Sequence, residues 1–298
     1  MKLRRFLYGA LLVLQAGLVL TGGAVRLTGS GLGCPTWPEC TPGSYTPVPH
    51  QAEGQLHAWI EFGNRLLTFA LFLSAIAVIA HVLFTRRKDL RVLAAGQLLG
   101  ILGQGVLGGI TVLTNLHPLP VAGHLLLSVI LIAGAASLYD RRESPIIRVQ
   151  PKDKLIANLS LLHISLTFLV IALGTLVTGS GPHAGDLKAR RFGFDIRTIA
   201  WLHADAVIAL LGLTLALYIA TRSNGLHRRR ITVFAGIALA QGAIGYIQYF
   251  TGIPEIIVAS HLLGATLVWI AAWRIRIAIT TVPIDKQVVT DQLVQEKK

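Results

Sequence analysis

Long apolar segments, each long enough to span a membrane, dominate the chain and alternate with short polar stretches. An α-helix of roughly 20 residues crosses the hydrocarbon core of a bilayer. The pattern therefore predicts an all-α integral membrane protein with eight transmembrane helices. The eight apolar segments lie at about 6–27, 57–84, 92–113, 119–138, 155–177, 198–220, 231–250 and 253–279.

One polar motif occurs twice within these segments. Gln104 and His124 recur as Gln241 and His261, and the same numerical offset relates the glycines that lie between them. Each half contains an even number of helices, so both halves have the same orientation, as in a parallel repeat. The sequence thus predicts two tandem four-helix bundles at 1–139 and 155–282, a polar linker at 140–154 and a polar tail at 283–298.

Basic residues are distributed asymmetrically along the chain, whose net charge is +13. Eight spans put both termini on one side, and 21 of the 27 Lys and Arg residues lie on that side. The positive-inside rule makes this side cytoplasmic. The charge is therefore explained by contact with membrane lipid and does not indicate nucleic-acid binding. One basic cluster, at 188–197, lies on the opposite side.

The two cysteines, Cys34 and Cys40, lie in the long outer loop at 28–56. An outward-facing loop is in an oxidising compartment, which favours a disulfide. A pair of free cysteines is the alternative.

Three histidines lie at similar depths in even-numbered helices. His124, His203 and His261 are about six to eight residues from the outer ends of helices 4, 6 and 8. At 1.5 Å per residue, this depth is roughly 10 Å for all three. Facing helices of a bundle commonly supply axial histidines to a heme. His203 and His261 are therefore a candidate ligand pair, the alternative being hydrogen-bonded packing residues.

Helix 2 carries polar residues on one face. His57, Glu61 and Asn64 are spaced i, i+4 and i+7, which aligns them along the helix. Asn64 occupies the position equivalent to His203 in the second half. Glu61 is a candidate proton acceptor or donor, and an ion pair with Arg65 is the alternative. His57 lines the mouth of the site or forms a second, shallower histidine pair.

Together these features resemble the heme A synthase family over roughly residues 6–279. The outer loop reads GSGLGCPTWPEC from Gly29 to Cys40. Glu61 and Arg65 are spaced i, i+4 in helix 2, and histidines occur in helices 4, 6 and 8.

The resemblance implies a C-terminal bundle that holds heme b between His203 and His261. It also implies an N-terminal bundle that binds heme O and oxidises its C8 methyl group to a formyl group. The product would be heme A for terminal oxidases. Glu61 matches the carboxylate implicated in this oxidation, and Cys34 and Cys40 match a loop cysteine pair. A farnesyl-transferring heme O synthase is the partner that the resemblance implies.

The sequence departs from the family at Asn64, where many members have a histidine. The expected bis-histidine ligation of the substrate heme therefore loses one ligand, which leaves His124. Arg26 and Arg65, near the outer ends of helices 1 and 2, are candidates to pair with heme propionates. Interfacial snorkelling is the alternative for both arginines.

Two other functions compete with this interpretation. A non-catalytic b-type cytochrome that exchanges electrons with quinone would explain the three histidines equally well. It would not explain Glu61 or the cysteine-containing loop. A transporter would need polar residues near the midplane, whereas these ionisable groups cluster near the outer face.

Overall fold

The structure, a computed structural model, describes residues 2–143, 146–148, 153–187 and 189–283. Within these residues, eight α-helices are long and apolar enough to cross a membrane. This confirms the predicted number of spans. The helices are α1 (Lys2–Leu27), α2 (Gln55–Phe84), α3 (Arg91–Leu113), α4 (Pro118–Asp140), α5 (Lys154–Ser180), α6 (Ile196–Ala220), α7 (Gly225–Phe250) and α8 (Glu255–Thr280).

The main difference from the predicted bounds is the start of α7. The apolar pattern placed it at 231, whereas the helix begins earlier, at Gly225. Asn224 caps it by accepting a hydrogen bond from the His227 backbone N–H at 3.1 Å. The guanidinium of Arg228 lies over the ring of Tyr218, 4.5 Å from its centroid. Hydropathy misses this basic turn because polar partners rather than lipid surround it.

Helix contacts follow the order of the chain. In the first half α1 touches α2 and α4, and α3 touches α2 and α4. In the second half α5 touches α6 and α8, and α7 touches α6 and α8. Contacts of α1 and α4 with α8, and of α4 with α5, join the halves.

The helices are joined at two ends. We call the end where α1 ends and α2 begins the disulfide face, and the opposite end the linker face. At the linker face, β1 (Ile146–Arg148) pairs antiparallel with β2 (Thr281–Pro283), a short ribbon that the apolar pattern does not predict. Several predicted segments lie outside the described residues. They are the tail from 284 onward, the linker positions 149–152, and Lys188.

The α3–α4 and α7–α8 connections share an unusual backbone conformation. Asn115 and Leu116 have φ of 51° and 57°, and Gly252 and Ile253, their counterparts in the repeat, have φ of 80° and 61°. In both connections the second residue donates its N–H to the carbonyl five positions earlier, at 2.8 Å. The repeated sequence motif is therefore accompanied by recurring backbone geometry.

Residues of α8 connect the two halves through polar contacts with α4. The indole N–H of Trp269 donates to the carbonyl of Val129 at 2.7 Å. Trp273 donates to the hydroxyl of Ser137, also at 2.7 Å. Such bonds are well suited to an interface within lipid, because no water competes for the donors.

An ion pair extends the contact between α4 and α8 toward the linker face. Arg274 of α8 lies 3.1 Å from the carboxylate of Asp140, and Arg230 of α7 lies 3.7 Å from it. The side chain of Asp140 is only 8% exposed. A shielded carboxylate between two arginines stabilises the contact between α4, α7 and α8.

We predict that Asp140→Asn destabilises the protein by about 2 kcal/mol, since it removes a charge-assisted contact and leaves two arginines unpaired. SDS-induced unfolding in detergent micelles would measure the change. Glu143→Gln is the matched control, because its carboxylate lies 3.6 Å from Arg142 and is 38% exposed, and we expect less than about 0.5 kcal/mol there. Equal effects of both substitutions would contradict this role of Asp140.

Candidate functional site

The three candidate histidines lie at the same depth from the disulfide face. His124 and His261 are the seventh residues of α4 and α8, and His203 is the eighth residue of α6. The prediction placed His261 slightly deeper, because the apolar pattern started α8 at 253 and the helix starts at Glu255.

His203 and His261 face each other in the second half. Their ring centroids are 6.4 Å apart, with an interplanar angle of 64°. Metal–imidazole bonds of about 2 Å on both sides of one metal atom would place the centroids roughly 6 Å apart. The separation therefore suits two axial ligands of one iron.

A backbone carbonyl orients the ring of His203. Its Nδ1 lies 3.0 Å from the carbonyl oxygen of Val170 in α5. Because a carbonyl only accepts hydrogen bonds, Nδ1 carries the proton and Nε2 keeps its lone pair. Metal-ligating histidines commonly have such a partner on the other nitrogen.

The contacts of His261 explain the repeated sequence motif. The side-chain amide of Gln241 donates to the carbonyl of His261 at 2.7 Å. Gly245 lies against the ring, where an added Cβ would be 3.0 Å from Cε1. In the recurring motif, therefore, glutamine holds the helix at the histidine and glycine makes room for the ring.

His124 has the same environment in the first half. Gln104 donates to its carbonyl at 3.0 Å, and a Cβ added at Gly108 would be 3.4 Å from its Cε1. Sequence reasoning found these glutamines and glycines as a pattern but did not assign them contacts. The signal was the glutamine-to-histidine spacing, which is identical in both halves.

His124 and His261 share one further feature, which is a ring nitrogen that the described residues leave unbonded. Among the described residues, the buried Nδ1 atom of each ring has no hydrogen-bond partner. A buried ring nitrogen without a partner costs about 1–3 kcal/mol. Rings positioned in this way could ligate iron, which the protein itself does not provide. The residues therefore fit a heme.

A bare metal ion is a poorer match for this geometry. The described part of the chain contains no group of three or more His, Cys, Asp or Glu side chains able to hold a metal ion. A heme needs only one or two axial ligands from the protein, because the porphyrin supplies the others.

Asn64 of α2 contacts α1 rather than a histidine. The hydroxyl of Thr21 donates to Oδ1 of Asn64 at 2.7 Å. Thr21 is a contact that sequence reasoning missed, because nothing in the sequence indicates which α1 residue faces α2.

Glu61 forms an ion pair with Arg65, which was the alternative role considered for it in the sequence. One carboxylate oxygen accepts from Arg65 at 2.7 Å, and the other accepts from the backbone N–H of Cys34 at 2.8 Å. Glu61 is 6% exposed. The first oxygen also accepts from Nε of Arg65 at 3.2 Å, so the lone pair that can still accept a hydrogen bond or a proton is on the second oxygen.

Arg65 fastens the outer loop to α2. Its guanidinium also donates to the carbonyls of Cys34, Thr36 and Glu39 at 3.0, 3.1 and 3.2 Å. A further contact, at 3.5 Å, reaches the Pro38 carbonyl. These bonds and the pair with Glu61 use all of its N–H groups, so no donor remains for a heme propionate.

The loop itself is closed by the predicted disulfide between Cys34 and Cys40, and both cysteines are fully buried. It approaches α2 so closely that a Cβ added at Gly33 would clash with the carbonyl oxygen of His57. The ring of His57 contacts the loop through Nδ1, which is 2.9 Å from the hydroxyl of Ser30.

Arg26 lies where the two halves meet at the disulfide face. One terminal nitrogen donates to the carbonyl of Thr178 in α5 at 2.6 Å. Its Nε is buried and has no hydrogen-bond partner among the described residues. Arg26 therefore joins α1 to α5, and its Nε–H is not used by the described residues.

Comparison with known proteins is consistent with this geometry. Residues 4–273 match the cytochrome oxidase assembly protein family, COX15-CtaA. A heme A synthase of Methylobacterium sp. (strain 4-46) is 27% identical, and the match covers 88% of this chain and 87% of the relative. Heme A synthases of Azorhizobium caulinodans and Methylobacterium nodulans are 28% and 29% identical, with 88% and 89% of this chain covered and 89% of each relative.

We predict that Arg65→Met loosens the outer loop. Hydrogen–deuterium exchange over residues 34–40 should become at least about tenfold faster, which corresponds to about 1.4 kcal/mol of lost protection. Arg190→Met is the control, because Arg190 is exposed and forms no hydrogen bond or ion pair with the described residues. Unchanged exchange in Arg65→Met would show that the disulfide alone holds the loop.

Proposed function

The chain belongs to the cytochrome oxidase assembly protein family, and on this basis we propose that it is a heme A synthase, a multi-pass membrane enzyme that oxidises heme O to heme A. The observation that carries this proposal is similarity to enzymes of that name over about nine-tenths of the chain. The arrangement of the three histidines gives independent support, since it suits heme binding within a membrane.

We assign different hemes to the two halves, 1–139 and 155–282. The second half would hold heme b between His203 and His261, whose opposed rings suit a six-coordinate iron. Such an iron supplies electron transfer when bound. The residues of the chain hold it by orienting the rings, through Val170 for His203 and through the glutamine and glycine contacts for His261.

The first half would bind heme O, with His124 as a ligand of its iron. The reason for placing the oxidation here is the asymmetry of the halves. At the offset that relates Asn64 to His203, Ala200 and Ala204 occupy the positions equivalent to Glu61 and Arg65. Only the first half therefore has a carboxylate and an arginine at these equivalent positions.

In the proposed reaction, water adds its oxygen to the C8 methyl group to give an alcohol, which is then oxidised to a formyl group. Each step releases two protons and gives two electrons to an external electron acceptor. Glu61 is held by Arg65 and the Cys34 N–H, which fix its orientation. The remaining lone pair on the oxygen that accepts the Cys34 N–H would accept a proton or position a water molecule beside the methyl group. The loop fastened by Arg65 would keep bulk water from this position, with His57 lining its edge.

Arg26 is our candidate for contact with a heme propionate, because its buried Nε lacks a partner among the described residues. Arg65, also a candidate from the sequence, is assigned to the loop instead, since its donors are all engaged there.

We also propose that the linker face and both termini are cytoplasmic, that the membrane is the bacterial cell membrane, and that a heme O synthase supplies the substrate.

Substitutions at Glu61 test the activity and the role of the carboxylate together. We predict that wild-type protein, co-expressed with a heme O source, yields heme A in chromatography of extracted hemes. Glu61→Gln can still accept the Cys34 N–H bond but is a much poorer proton acceptor, so heme A should fall by roughly 100-fold.

Glu61→Ala is the comparison that separates the two roles. If Glu61 only fixes the loop, Glu61→Gln should retain far more activity than Glu61→Ala. If wild type yields only heme B with good expression, the proposed enzyme activity is wrong and an electron-carrying cytochrome is favoured.

A substitution beside His261 tests the heme b site. We predict that Gly245→Ala displaces the ring and weakens heme binding about tenfold, for about 1.4 kcal/mol of lost ligation. Gly242→Ala, one turn earlier in α7, is the control because an added Cβ there meets nothing within 4 Å. Heme b per polypeptide, measured by pyridine hemochromogen absorbance, should fall only in Gly245→Ala; equal contents would contradict the assignment.

A further inference from the structure

At the position where the second half has His203, the first half has Asn64. We propose that Asn64 is a hydrogen-bond donor, positioned by Thr21, above an open side of the substrate heme whose one protein ligand is His124. This inference rests on the proposed function, because it concerns the heme that the first half binds.

The comparison of Asn64 with His203 is internal to the chain. Asn64 lies on α2 and His203 on α6, at equivalent positions of the two halves. Each is fixed by the preceding helix of its own half: Asn64 by Thr21 of α1, and His203 by Val170 of α5. The two positions therefore have the same kind of anchor but present different atoms.

The anchor decides which atom of Asn64 remains available. The Thr21 hydroxyl has one proton, and its 2.7 Å contact with Oδ1 is much shorter than its 3.4 Å contact with the Leu18 carbonyl. The amide oxygen, which is the only atom of Asn64 with lone pairs to offer a metal, therefore already uses one of its two lone pairs to accept the Thr21 proton.

The remaining atom, Nδ2, can donate but cannot ligate iron. An amide NH₂ carries two donor protons, and Nδ2 makes no hydrogen bond to any described residue. The neighbouring α1 residue is Gly22, where even an added Cβ would be 3.9 Å away. Nδ2 is thus an unused donor in a position that no α1 side chain crowds.

His124, in contrast, has the same kinds of neighbour as His261. Its glutamine and glycine neighbours repeat those of His261, as described above. One half therefore presents two imidazoles, and the other presents one imidazole and one N–H donor. Iron with a single axial protein ligand has an open side for a small molecule, whereas bis-histidine iron does not.

Carbon monoxide is a suitable probe for this open side, because its binding is read from the absorbance spectrum and does not require turnover. The experiment uses the full chain purified in detergent after co-expression with a heme O source. We expect the reduced protein to bind CO at one of its two hemes. Asn64→His should supply the second ligand and reduce CO binding at least tenfold.

Asn64→Leu is the matched variant, because it removes the donor and leaves the position without a ligand. It should still bind CO, but with a higher C–O stretching frequency than wild type, since a hydrogen bond to the CO oxygen lowers that frequency. Thr21→Val, which releases the amide, should shift the frequency in the same direction, and Thr21→Ser should restore it.

The outcomes separate this inference from the proposed function. Purified protein without heme O or heme A would contradict the proposed function. Protein that contains both hemes but binds no CO in the wild type would overturn the inference alone. The donor role would also be wrong if CO binds with the same stretching frequency in wild type, Asn64→Leu and Thr21→Val.

Discussion

The structure depends on one constraint: a polar group within lipid must find its partner inside the protein. Each buried histidine meets this constraint differently. His163 is satisfied by the hydroxyl of Thr214, at 3.2 Å, and is a packing residue. His203 is bonded through Nδ1 to the carbonyl of Val170. The buried Nδ1 atoms of His124 and His261 have no hydrogen-bond partner among the described residues, and a bound heme is what we propose for these rings.

Much of this arrangement is visible in the sequence, because helices within a membrane have a regular geometry. Apolar length gives the number of spans, and equal distance from the helix ends gives the shared depth of the histidines. The Gln104–His124 spacing recurs in the second half because a physical contact between neighbouring helices requires it. Local regularity and internal repetition were therefore sufficient to identify the ligand candidates.

The contacts that could not be predicted are those between segments with no regular spacing. The bond from the Cys34 N–H to Glu61 depends on how the outer loop folds back over α2. The contact of Thr21 with Asn64 depends on the rotation of α1, which apolar residues on all sides leave undetermined. The engagement of Arg65 with loop carbonyls, rather than with a propionate, likewise follows from the loop conformation.

Under the proposed function, the two halves have similar helix contacts but different tasks. A resident heme would be held best from both sides, and the opposed rings of His203 and His261 suit this. A substrate heme would have to enter, react at its edge and leave, which two strong iron ligands would hinder. The first half has one imidazole, a neutral amide and a carboxylate instead. The charged pair of Glu61 and Arg65 that fixes the overlying loop belongs to the half to which we assign the exchanged heme.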